Sequence, residues 1–262
     1  MIKVSVITVV RNGARTIGTA LASVAAQDHV ALEHIIVDGA STDQTLDIIK
    51  SHEAKNVRWV SEPDNGIYDA MNKGIGLATG DLIGFLNADD YFCRKNAVRI
   101  LAEAAINYPD ASAVSGGVAI VNESGLLRRY YRAKGFRSWM LRVGHMPPHP
   151  AFYARRSAFD EVGRFDDQLK ICGDFEWMVR FFRNHKLTAH FIDETITTFR
   201  MGGVTNRGLG SRVAVNQEAM LACERHGIST SQILMWSKYA VKLSQYFLQP
   251  PDFPLPQSEI LA

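Results

Sequence analysis

The chain has 262 residues, of which 47% are hydrophobic, so it is long enough for one sizeable α/β domain, alone or with a helical appendage. Its formal net charge is only +2, which argues against a nucleic-acid-binding protein, because such proteins carry a strongly basic domain. The three cysteines are odd in number and form no CxxC pair, so we expect neither a disulfide framework nor a zinc site, and a reducing cytoplasm fits this cysteine usage.

The first third of the chain alternates between predicted strands and helices. The opening run Val4–Val10 is β-branched and stops at a polar loop that begins with Arg11, which is typical of a strand followed by a loop. That run is too short for a signal peptide, and no apolar stretch reaches membrane-spanning length. Alternating strands and helices predict a parallel sheet with right-handed crossovers. The strands are predicted over 4–10, 34–37, 57–60 and 82–86. The helices are predicted over 14–26, from about 67 to the pair Thr79-Gly80 that ends the helix, and over a segment that Ser41 or Thr42 caps and that ends near Ser51.

The stretch from Ser61 to Tyr91 combines a helix, a buried strand and an acidic pair. The buried face of the helix is predicted to consist of Ile67, Ala70, Met71, Gly74 and Leu77. The strand that follows is almost wholly apolar, as expected when both faces of a sheet are covered. Asp89 and Asp90 come directly after it, and nothing in the local sequence neutralises them. Ligands bind at this edge of open α/β sheets, and hard divalent cations prefer carboxylate oxygens. We therefore predict a metal ion there that binds a phosphate-bearing ligand.

A polar tip follows each of the predicted strands. These tips are Arg11-Asn12, Asp38, Asp64 and Asp89-Asp90. They would converge on one edge of the sheet, which is an arrangement typical of a binding site. No GxGxxG follows the first strand and no GxxxxGK[ST] occurs anywhere, so a dinucleotide-binding or P-loop protein is not indicated.

The second half of the chain contains a basic segment and two helical segments. The cations between Arg128 and Arg142 are interleaved with aromatic residues, which suits an anionic acceptor such as a lipid pyrophosphate at a membrane surface, or an ordinary solvated face. Helices are predicted over about 209–226 and 229–248. The second of these suits an interfacial amphipathic helix, a homodimer contact or a helix packed on the domain. The proline-rich tail from Gln249 is predicted to be irregular.

Four motifs in the first ninety residues resemble those of the inverting family 2 glycosyltransferases with the GT-A fold. They are SVITVVRN at 5–12, VDGASTDQT at 37–45, EPDNGIYDAMNKG at 62–74 and FLNADD at 85–90. The third motif resembles the subgroup that builds colanic acid and related bacterial surface polysaccharides. The similarity continues through HPAFYARR at 149–156, GDFEW at 173–177 and FRMGGVTN at 199–206.

The resemblance implies which residues bind a nucleotide-diphosphate sugar. Asp89 matches the last residue of the family's DxD motif and would hold Mg²⁺ or Mn²⁺, while Asn87 replaces the first Asp and keeps an oxygen for a ribose hydroxyl. Asp90 would support the site or cap the next helix, and Asp64 could cap the helix that starts near Ile67 as well as line the donor pocket. The donor-binding residues implied are Thr8, Val9, Arg11, Asp38, Asp64, Asn87 and Ala88.

The resemblance also implies a general base. Asp174 matches the Asp of the family's ED motif and is expected to serve as the base rather than Glu176, and it could also cap the helix that follows. Gly173 stands where the family often has the preceding acid, which is a departure from the motif. His149 is predicted to border the acceptor or the metal. The pair Gly202-Gly203 predicts a loop that could close over the donor.

These observations predict an α/β protein with the GT-A fold, which is a single mixed, mostly parallel sheet flanked by helices, and with a C-terminal helical extension. The catalytic domain is expected to cover 1–206 and the extension 207–262. The predicted activity is transfer of a sugar to a hydroxyl of a glycan or lipid-linked acceptor in bacterial surface polysaccharide biosynthesis. The predicted location is the cytoplasm, with a peripheral contact at the inner face of the membrane.

Two other classes of function share part of this pattern. A sugar-nucleotide pyrophosphorylase would need a glycine-rich, basic loop after the first strand, and residues 11–14 do not supply one. A degenerate binding module without transfer activity would be expected to lack Asp89 or Asp174, and both are present. The glycosyltransferase is therefore the favoured hypothesis.

Overall fold

The structure is a computed structural model that describes residues 1–122, 124–201, 208–248 and 250. The strands are β1 Val4–Val10, β2 Leu32–Asp38, β3 Val57–Ser61, β4 Leu82–Phe85, β5 Tyr91–Phe92, β6 Ala113–Val121, β7 Leu127–Tyr131, β8 Phe152–Arg155 and β9 Ala189–Arg200. The α-helices are α1 Ile17–Ala25, α2 Thr45–Ser51, α3 Ile67–Leu77, α4 Ala97–Asn107, α5 Arg156–Val162, α6 Gly173–Arg183, α7 Gly208–Arg225 and α8 Gln232–Ser244. Two 3-10 helices span Ser138–Val143 and His149–Ala151.

One mixed sheet organises the described residues. Its strand order is β3-β2-β1-β4-β8-β6-β9-β5, and β7 pairs with β6 beside β8. The first four strands of this order are parallel, and β8 is antiparallel to both β4 and β6. Since β9 is parallel to β6 while β5 and β7 run the other way, six of the nine strands point in one direction. The predicted mixed, mostly parallel sheet flanked by helices is confirmed.

The two faces of the sheet carry separate apolar cores because alternate residues of a strand point to opposite sides. Val4 and Val6 of β1 pack with α1 and α4 in one cluster. Ile7 and Val9 pack with α3 and α6 in another. Every residue of β1 and β2 is buried, which explains why these strands read as continuous apolar runs rather than as alternating patterns.

The central residues of the buried face of α3 were predicted correctly. Ala70, Met71 and Gly74 are buried, and Gly74 lies so close to Ile7 that a side chain there would overlap it. Ile67 is 43% exposed, and Leu77 is half-buried. The buried face extends instead to Tyr68 and Asn72, whose polar atoms find partners inside the fold.

The predicted helix caps are wrong. Helix α2 begins at Thr45 with Gln44 as its cap residue, and the hydroxyl of Ser41 instead donates to Asp38. The cap residues of α3, α4 and α6 are Gly66, Asn96 and Cys172, so Asp64, Asp90 and Asp174 do not cap these helices. Each predicted cap is a short polar side chain near a helix start, and in each case a tertiary or turn contact occupies it.

Helices α7 and α8 pack onto the rest of the chain. Ala222 of α7 and Met235 of α8 share a buried cluster with Leu141 of the first 3-10 helix and Phe175 of α6. The division into a domain of residues 1–206 and an extension of residues 207–262 stays a prediction. The predicted loop at Gly202-Gly203 and the tail beyond Pro250 lie outside the described residues. Within the described part of the chain, no helix is long and apolar enough to span a membrane.

Candidate active site

The loops after β1 and β2 are clasped together at the carboxyl edge of the sheet. The backbone N–H of Asn12 donates to the hydroxyl of Ser41, and the side-chain oxygen of Asn12 accepts from the N–H of Thr42, both at 2.8 Å. Asn12 and Ala40 have φ of 53° and 54°, in the left-handed region. Asn tolerates this region, whereas Ala adopts it at a cost. The clasp therefore fixes both loops as one unit.

Asp38 ends β2 inside this unit and is fully buried. One carboxylate oxygen accepts from the N–H of Ser41 at 3.0 Å and from the hydroxyl of Ser61 at 2.7 Å. The other accepts from the hydroxyl of Ser41. The carboxylate is thus held rigidly at the strand end, in the turn that its local sequence favours.

Asp64 contacts Gly39, which is the residue that follows Asp38. A Cβ on Gly39 would fall 2.1 Å from a carboxylate oxygen of Asp64 and 3.4 Å from the Cβ of Arg11. The other oxygen of Asp64 accepts from the N–H of Gly66 at 3.0 Å. Three polar tips predicted to converge, those after β1, β2 and β3, are therefore in contact.

Thr8 and Val9 lie deeper in the sheet than these tips. The Thr8 hydroxyl is fully buried and lies 2.9 Å from Nε2 of His34 on β2. Burial lowers the pKa of His34 to about 3, with a smaller contribution from His52, so the Thr8 partner is a neutral imidazole. Val9 packs in the apolar core with α3. Contact of these two side chains with a donor stays a prediction.

The acidic pair after β4 lies at the same edge. Asp90 is 1% exposed, and burial together with the adjacent Asp89 raises its pKa well above the ordinary value. Burial also raises the pKa of Asp89, against the attraction of Arg200 and His149. Two carboxylates that repel each other in a buried site are stabilised by a cation, because a cation removes the need for either to bind a proton.

Arg200 is a further candidate site residue, which was not among the residues predicted from the sequence motifs. It ends β9, and its guanidinium carbon lies 5.1 Å from the ring centre of Tyr91. One terminal nitrogen of Arg200 is buried and has no hydrogen-bond partner among the described residues. The motif FRMGGVTN contains this residue, so a cation in front of the glycine pair was the available signal. A buried guanidinium nitrogen facing two carboxylates is suited to bind a phosphate oxygen.

The chemistry of this edge fits a divalent cation shared with a ligand. Among the described residues there is no group of three or more His, Cys, Asp or Glu side chains that could hold a metal ion alone. Asn87 Oδ1 and Asp90 Oδ1 are buried and accept no hydrogen bond from the described residues. Mg²⁺ is commonly held by one or two carboxylates together with substrate phosphates, and Asp89 and Asp90 supply that number. Residues Asn87, Asp89 and Asp90 therefore fit a cation that a diphosphate completes.

Asp174 stands in the first turn of α6, within reach of two other polar side chains. One of its oxygens lies 3.2 Å from Nδ1 of His149. The other accepts from the hydroxyl of Tyr68 at 3.2 Å and from the N–H of Phe175 at 2.8 Å. The side chain of Asp174 retains 18% exposure, so its carboxylate is accessible from solvent. The charge of His149 also lowers the pKa of Asp89, so the histidine is near enough to both carboxylates to interact with them electrostatically.

A steric contact explains why a glycine, Gly173, precedes Asp174. A Cβ on Gly173 would lie 2.8 Å from ring atoms of Tyr68, so the departure from the ED motif makes room for the tyrosine that contacts Asp174. Glu176, the other acid of this turn, is 4% exposed. It accepts from Arg180 at 2.8 Å and lies 2.7 Å from Nε2 of His226. Both of its oxygens are engaged in these ion pairs, which suit a structural role.

Comparison with known proteins identifies the family. The family model described as "Glycosyl transferase family 2" matches residues 5–186. The chain belongs to glycosyl transferase family 2. A PGL/p-HBAD biosynthesis glycosyltransferase of Mycobacterium bovis is 28% identical over 207 residues, which is 77% of this chain and 78% of that protein. An uncharacterised glycosyltransferase of Mycobacterium tuberculosis is 33% identical over 182 residues, which is 68% of each chain.

Two solved structures share the fold of this chain. The mannosyltransferase PcManGT from Pyrobaculum calidifontis, in complex with GDP-Man and Mn²⁺, covers 99% of this chain and 74% of its own, with a TM-score of 0.66 and 19% identity. S. aureus TarS in complex with UDP-GlcNAc covers 94% of this chain and 72% of its own, with a TM-score of 0.63 and 19% identity. The predicted family and the GT-A fold are thereby confirmed.

Proposed function

We propose that this glycosyltransferase moves a sugar from a nucleotide-diphosphate donor to a hydroxyl of a glycan or lipid-linked acceptor, with inversion, in bacterial surface polysaccharide biosynthesis at the cytoplasmic face of the membrane. The observation that carries the proposal is the position of Asp174, which lies 3.2 Å from His149 at the same edge of the sheet as the acidic pair. One carboxylate is thus accessible to an acceptor, and others lie where a diphosphate would bind. The solved structures that share the fold hold UDP-GlcNAc or GDP-Man with Mn²⁺, which supports a donor of this class.

In the proposed reaction Asp174 accepts the proton of the acceptor hydroxyl as that oxygen attacks the anomeric carbon of the donor sugar. The new glycosidic bond forms as the bond between the anomeric carbon and the diphosphate oxygen breaks, and the electron pair leaves with the diphosphate. A single displacement of this kind inverts the anomeric centre. His149 orients Asp174 through its contact with the carboxylate oxygen, and Tyr68 orients the other oxygen.

Asp89 would hold Mg²⁺ or Mn²⁺ with support from Asp90 and Asn87, and such a cation supplies neutralisation of the charge on the leaving diphosphate when it is bound. Arg200 would add a fixed positive charge to the same group. Asp38, Asp64 and Arg11 would contact the nucleoside part, because these side chains surround Gly39 at the ends of β1, β2 and β3. Ala88 would line the donor pocket through its backbone and methyl group.

The first test is calorimetric titration with UDP, GDP and dTDP, with and without Mn²⁺. We expect one nucleotide to bind in a Mn²⁺-dependent manner and Asp89→Ala to lose this dependence. Asp47→Ala is the matched control, since Asp47 is exposed on α2 at the surface. Failure of all three nucleotides to bind to folded protein would reject the donor class.

The second test separates binding from transfer. With the donor sugar of the nucleotide that binds, slow hydrolysis by water measures activation by Asp174 without a known acceptor. We expect Asp174→Asn to bind the nucleotide as the wild type does and to lose at least about a hundredfold in hydrolysis, as is typical of a general base. Unchanged hydrolysis in Asp174→Asn would remove this residue from the role. Binding of nucleotide with no turnover in the wild type would instead favour a binding module.

A further inference from the structure

Helix α8 is apolar on the side that faces away from the protein. Its inner side contacts the fold through Met235, which is buried with Leu141, and through Gln245, whose carbonyl accepts from the N–H of Tyr130 at 3.1 Å. At the helical repeat, the residues of α8 opposite this inner side are Ile233, Trp236, Ala240 and Leu243, and Phe247 follows just after the helix ends at Ser244. We call these five residues the outer face of α8. Ile233, Leu243 and Phe247 are 84%, 63% and 86% exposed.

Basic residues border this outer face. Arg137 precedes the 3-10 helix Ser138–Val143, which lies against α8, and Arg142 lies in its last turn; both are exposed. The hydroxyl of Thr230 donates to the carbonyl of Arg142 at 2.6 Å, which places this arginine at the start of α8. No Asp or Glu occurs between residues 124 and 159 or between residues 226 and 248. These two segments therefore contribute cations and no acids to the border. Asp193 of β9 is an acid near the first segment, and it is paired with Arg132.

The 3-10 helix adds a second apolar element. Trp139 is 60% exposed and lines a cavity of about 280 Å³ together with Leu248, at the end of α8. The same cavity is lined by Lys134 and His145. A short loop connects His145 to His149, the neighbour of Asp174. The cavity beside α8 is therefore close in sequence to the loop that carries His149.

From this arrangement we propose that the outer face of α8, with Trp139 and the arginines beside it, docks the protein on an anionic lipid bilayer. Tryptophan and other aromatic side chains are favoured at the membrane–water interface. Each Lys or Arg near an anionic surface strengthens binding. A helix with one apolar side that lies in the interface plane binds in proportion to the apolar area that it buries. Docking on the bilayer does not depend on the proposed function. Only the further step, in which docking presents a lipid-linked acceptor to Asp174, rests on it.

A second copy of the chain fits this surface less well. The three-and-four spacing of the outer face is that of a coiled-coil seam, but it extends over only about two heptads, and stable seams need roughly three or four. A two-fold contact would also place the patch against itself, so the basic border of one copy would meet the same border of the other without an acid between them. Charge complementarity therefore favours an anionic surface.

The test is co-sedimentation of the full chain with vesicles of phosphatidylglycerol and phosphatidylcholine, compared with phosphatidylcholine alone. The measurement needs neither donor nor acceptor, so its outcome is separate from that of the transfer assays. We expect binding to the anionic vesicles that weakens at least about tenfold in Leu243→Ser/Phe247→Ser, since both side chains are exposed and lose their apolar contact with lipid. Val30→Ser is the matched control, because Val30 is 83% exposed in the loop before β2, and it should bind as the wild type does.

The charge contribution is tested with Arg137→Gln/Arg142→Gln. We expect roughly a fivefold loss for each arginine on anionic vesicles and little change on neutral ones. Circular dichroism and nucleotide titration should show that all variants are folded. Absence of wild-type binding to anionic vesicles, or equal binding of Leu243→Ser/Phe247→Ser, would overturn the proposal. A dimer in light scattering that this double variant abolishes would assign the surface to a second copy and would also overturn it.

Discussion

Glu33 provides a buried charge whose contribution to stability can be worked out from its contacts. It lies on β2 at the amino edge of the sheet, and its side chain is 8% exposed. Its oxygens accept from the hydroxyl of Ser5 at 2.5 Å and from the hydroxyl of Thr79 at 2.6 Å, and they lie 2.7 Å from Nζ of Lys3. Backbone N–H groups of Thr79 and Gly80 donate as well. Burial raises the pKa of Glu33, but these donors outweigh it and lower the pKa from 4.5 to about 2.

The pKa difference fixes the sign and size of the expected effect. The folded state holds the ionised form more tightly than the unfolded state does, so the stabilisation is complete above the unfolded pKa and is lost as the pH falls through the folded one. A shift from 4.5 to about 2 corresponds to about 3 kcal/mol at pH 7. At pH 3.5 the same linkage leaves about 2 kcal/mol.

Replacement of Glu33 with Gln keeps the shape of the side chain and removes the charge. We expect Glu33→Gln to lower the free energy of unfolding by about 3 kcal/mol at pH 7 in urea titrations, with the difference from wild type shrinking toward about 2 kcal/mol at pH 3.5. Glu103→Gln is the control, because Glu103 is 55% exposed and its pair with Arg99 should contribute less than about 1 kcal/mol. A deficit for Glu33→Gln no larger than that of the control, or one that does not shrink at low pH, would refute the reasoning. Nucleotide affinity should not change, since Glu33 lies at the edge opposite the site.

Three further substitutions test the site. Gly173→Ala places a Cβ 2.8 Å from the ring of Tyr68, so it should displace the tyrosine, reduce turnover at least about tenfold and lower the unfolding free energy by about 1–3 kcal/mol, measured by donor hydrolysis and urea titration. Gly39→Ala overlaps the carboxylate of Asp64, so it should weaken nucleotide binding in calorimetry with turnover at saturation preserved; an equal loss in both would contradict the assignment of Asp64 to the donor. Arg200→Gln should weaken binding of the nucleoside diphosphate by about 1.5–3 kcal/mol and leave binding of the nucleoside monophosphate nearly unchanged, a contrast that a purely structural arginine would not produce.

The strands and helices of the first ninety residues could be predicted because the patterns that specify them are local in the sequence. The strand Val4–Val10 has the predicted bounds, because buried parallel strands are continuous apolar runs. Helix α3 starts at Ile67 as its helical period predicts and ends at Leu77, just before the predicted stop at Thr79-Gly80. The caps failed for a physical reason. A Ser or Asp near a helix start can satisfy a cap, a turn or a tertiary partner, and the sequence does not show which of these lies nearest in space.

The candidate site could be predicted as a set of residues but not as a set of contacts. Asp89 and Asp174 are 85 positions apart in the sequence, and His149, which contacts Asp174, was chosen only from a family motif. Tyr68 was not chosen, because it appears in the sequence as one apolar position of a helix. Its contact with Asp174 depends on the packing of α3 against α6 and on the missing side chain at Gly173, and neither can be read from the sequence around Tyr68.

Hydrogen-bond saturation distinguishes Asp90 from the other buried carboxylates of the described residues. The described residues include four buried acids, which are Glu33, Asp38, Asp90 and Glu176. Glu33 and Glu176 have donors on both oxygens, each including a cation, so the fold itself balances their charge. Both oxygens of Asp38 accept from serines.

Asp90 is different, because one of its oxygens has no partner among the described residues although the group is 1% exposed. An unsatisfied buried polar atom costs about 1–3 kcal/mol, and more when the group is charged. Asn87 Oδ1 and a nitrogen of Arg200 are unsatisfied at the same edge, and they are an acceptor and a donor respectively. A hydrogen-bond donor and two acceptors without partners at one edge are suited to a ligand that carries positive and negative charge together, as a metal-bound diphosphate does. The other buried acids show that the fold can saturate a buried carboxylate, so the unpartnered oxygen of Asp90 supports the proposed binding of a metal-bound diphosphate at this edge.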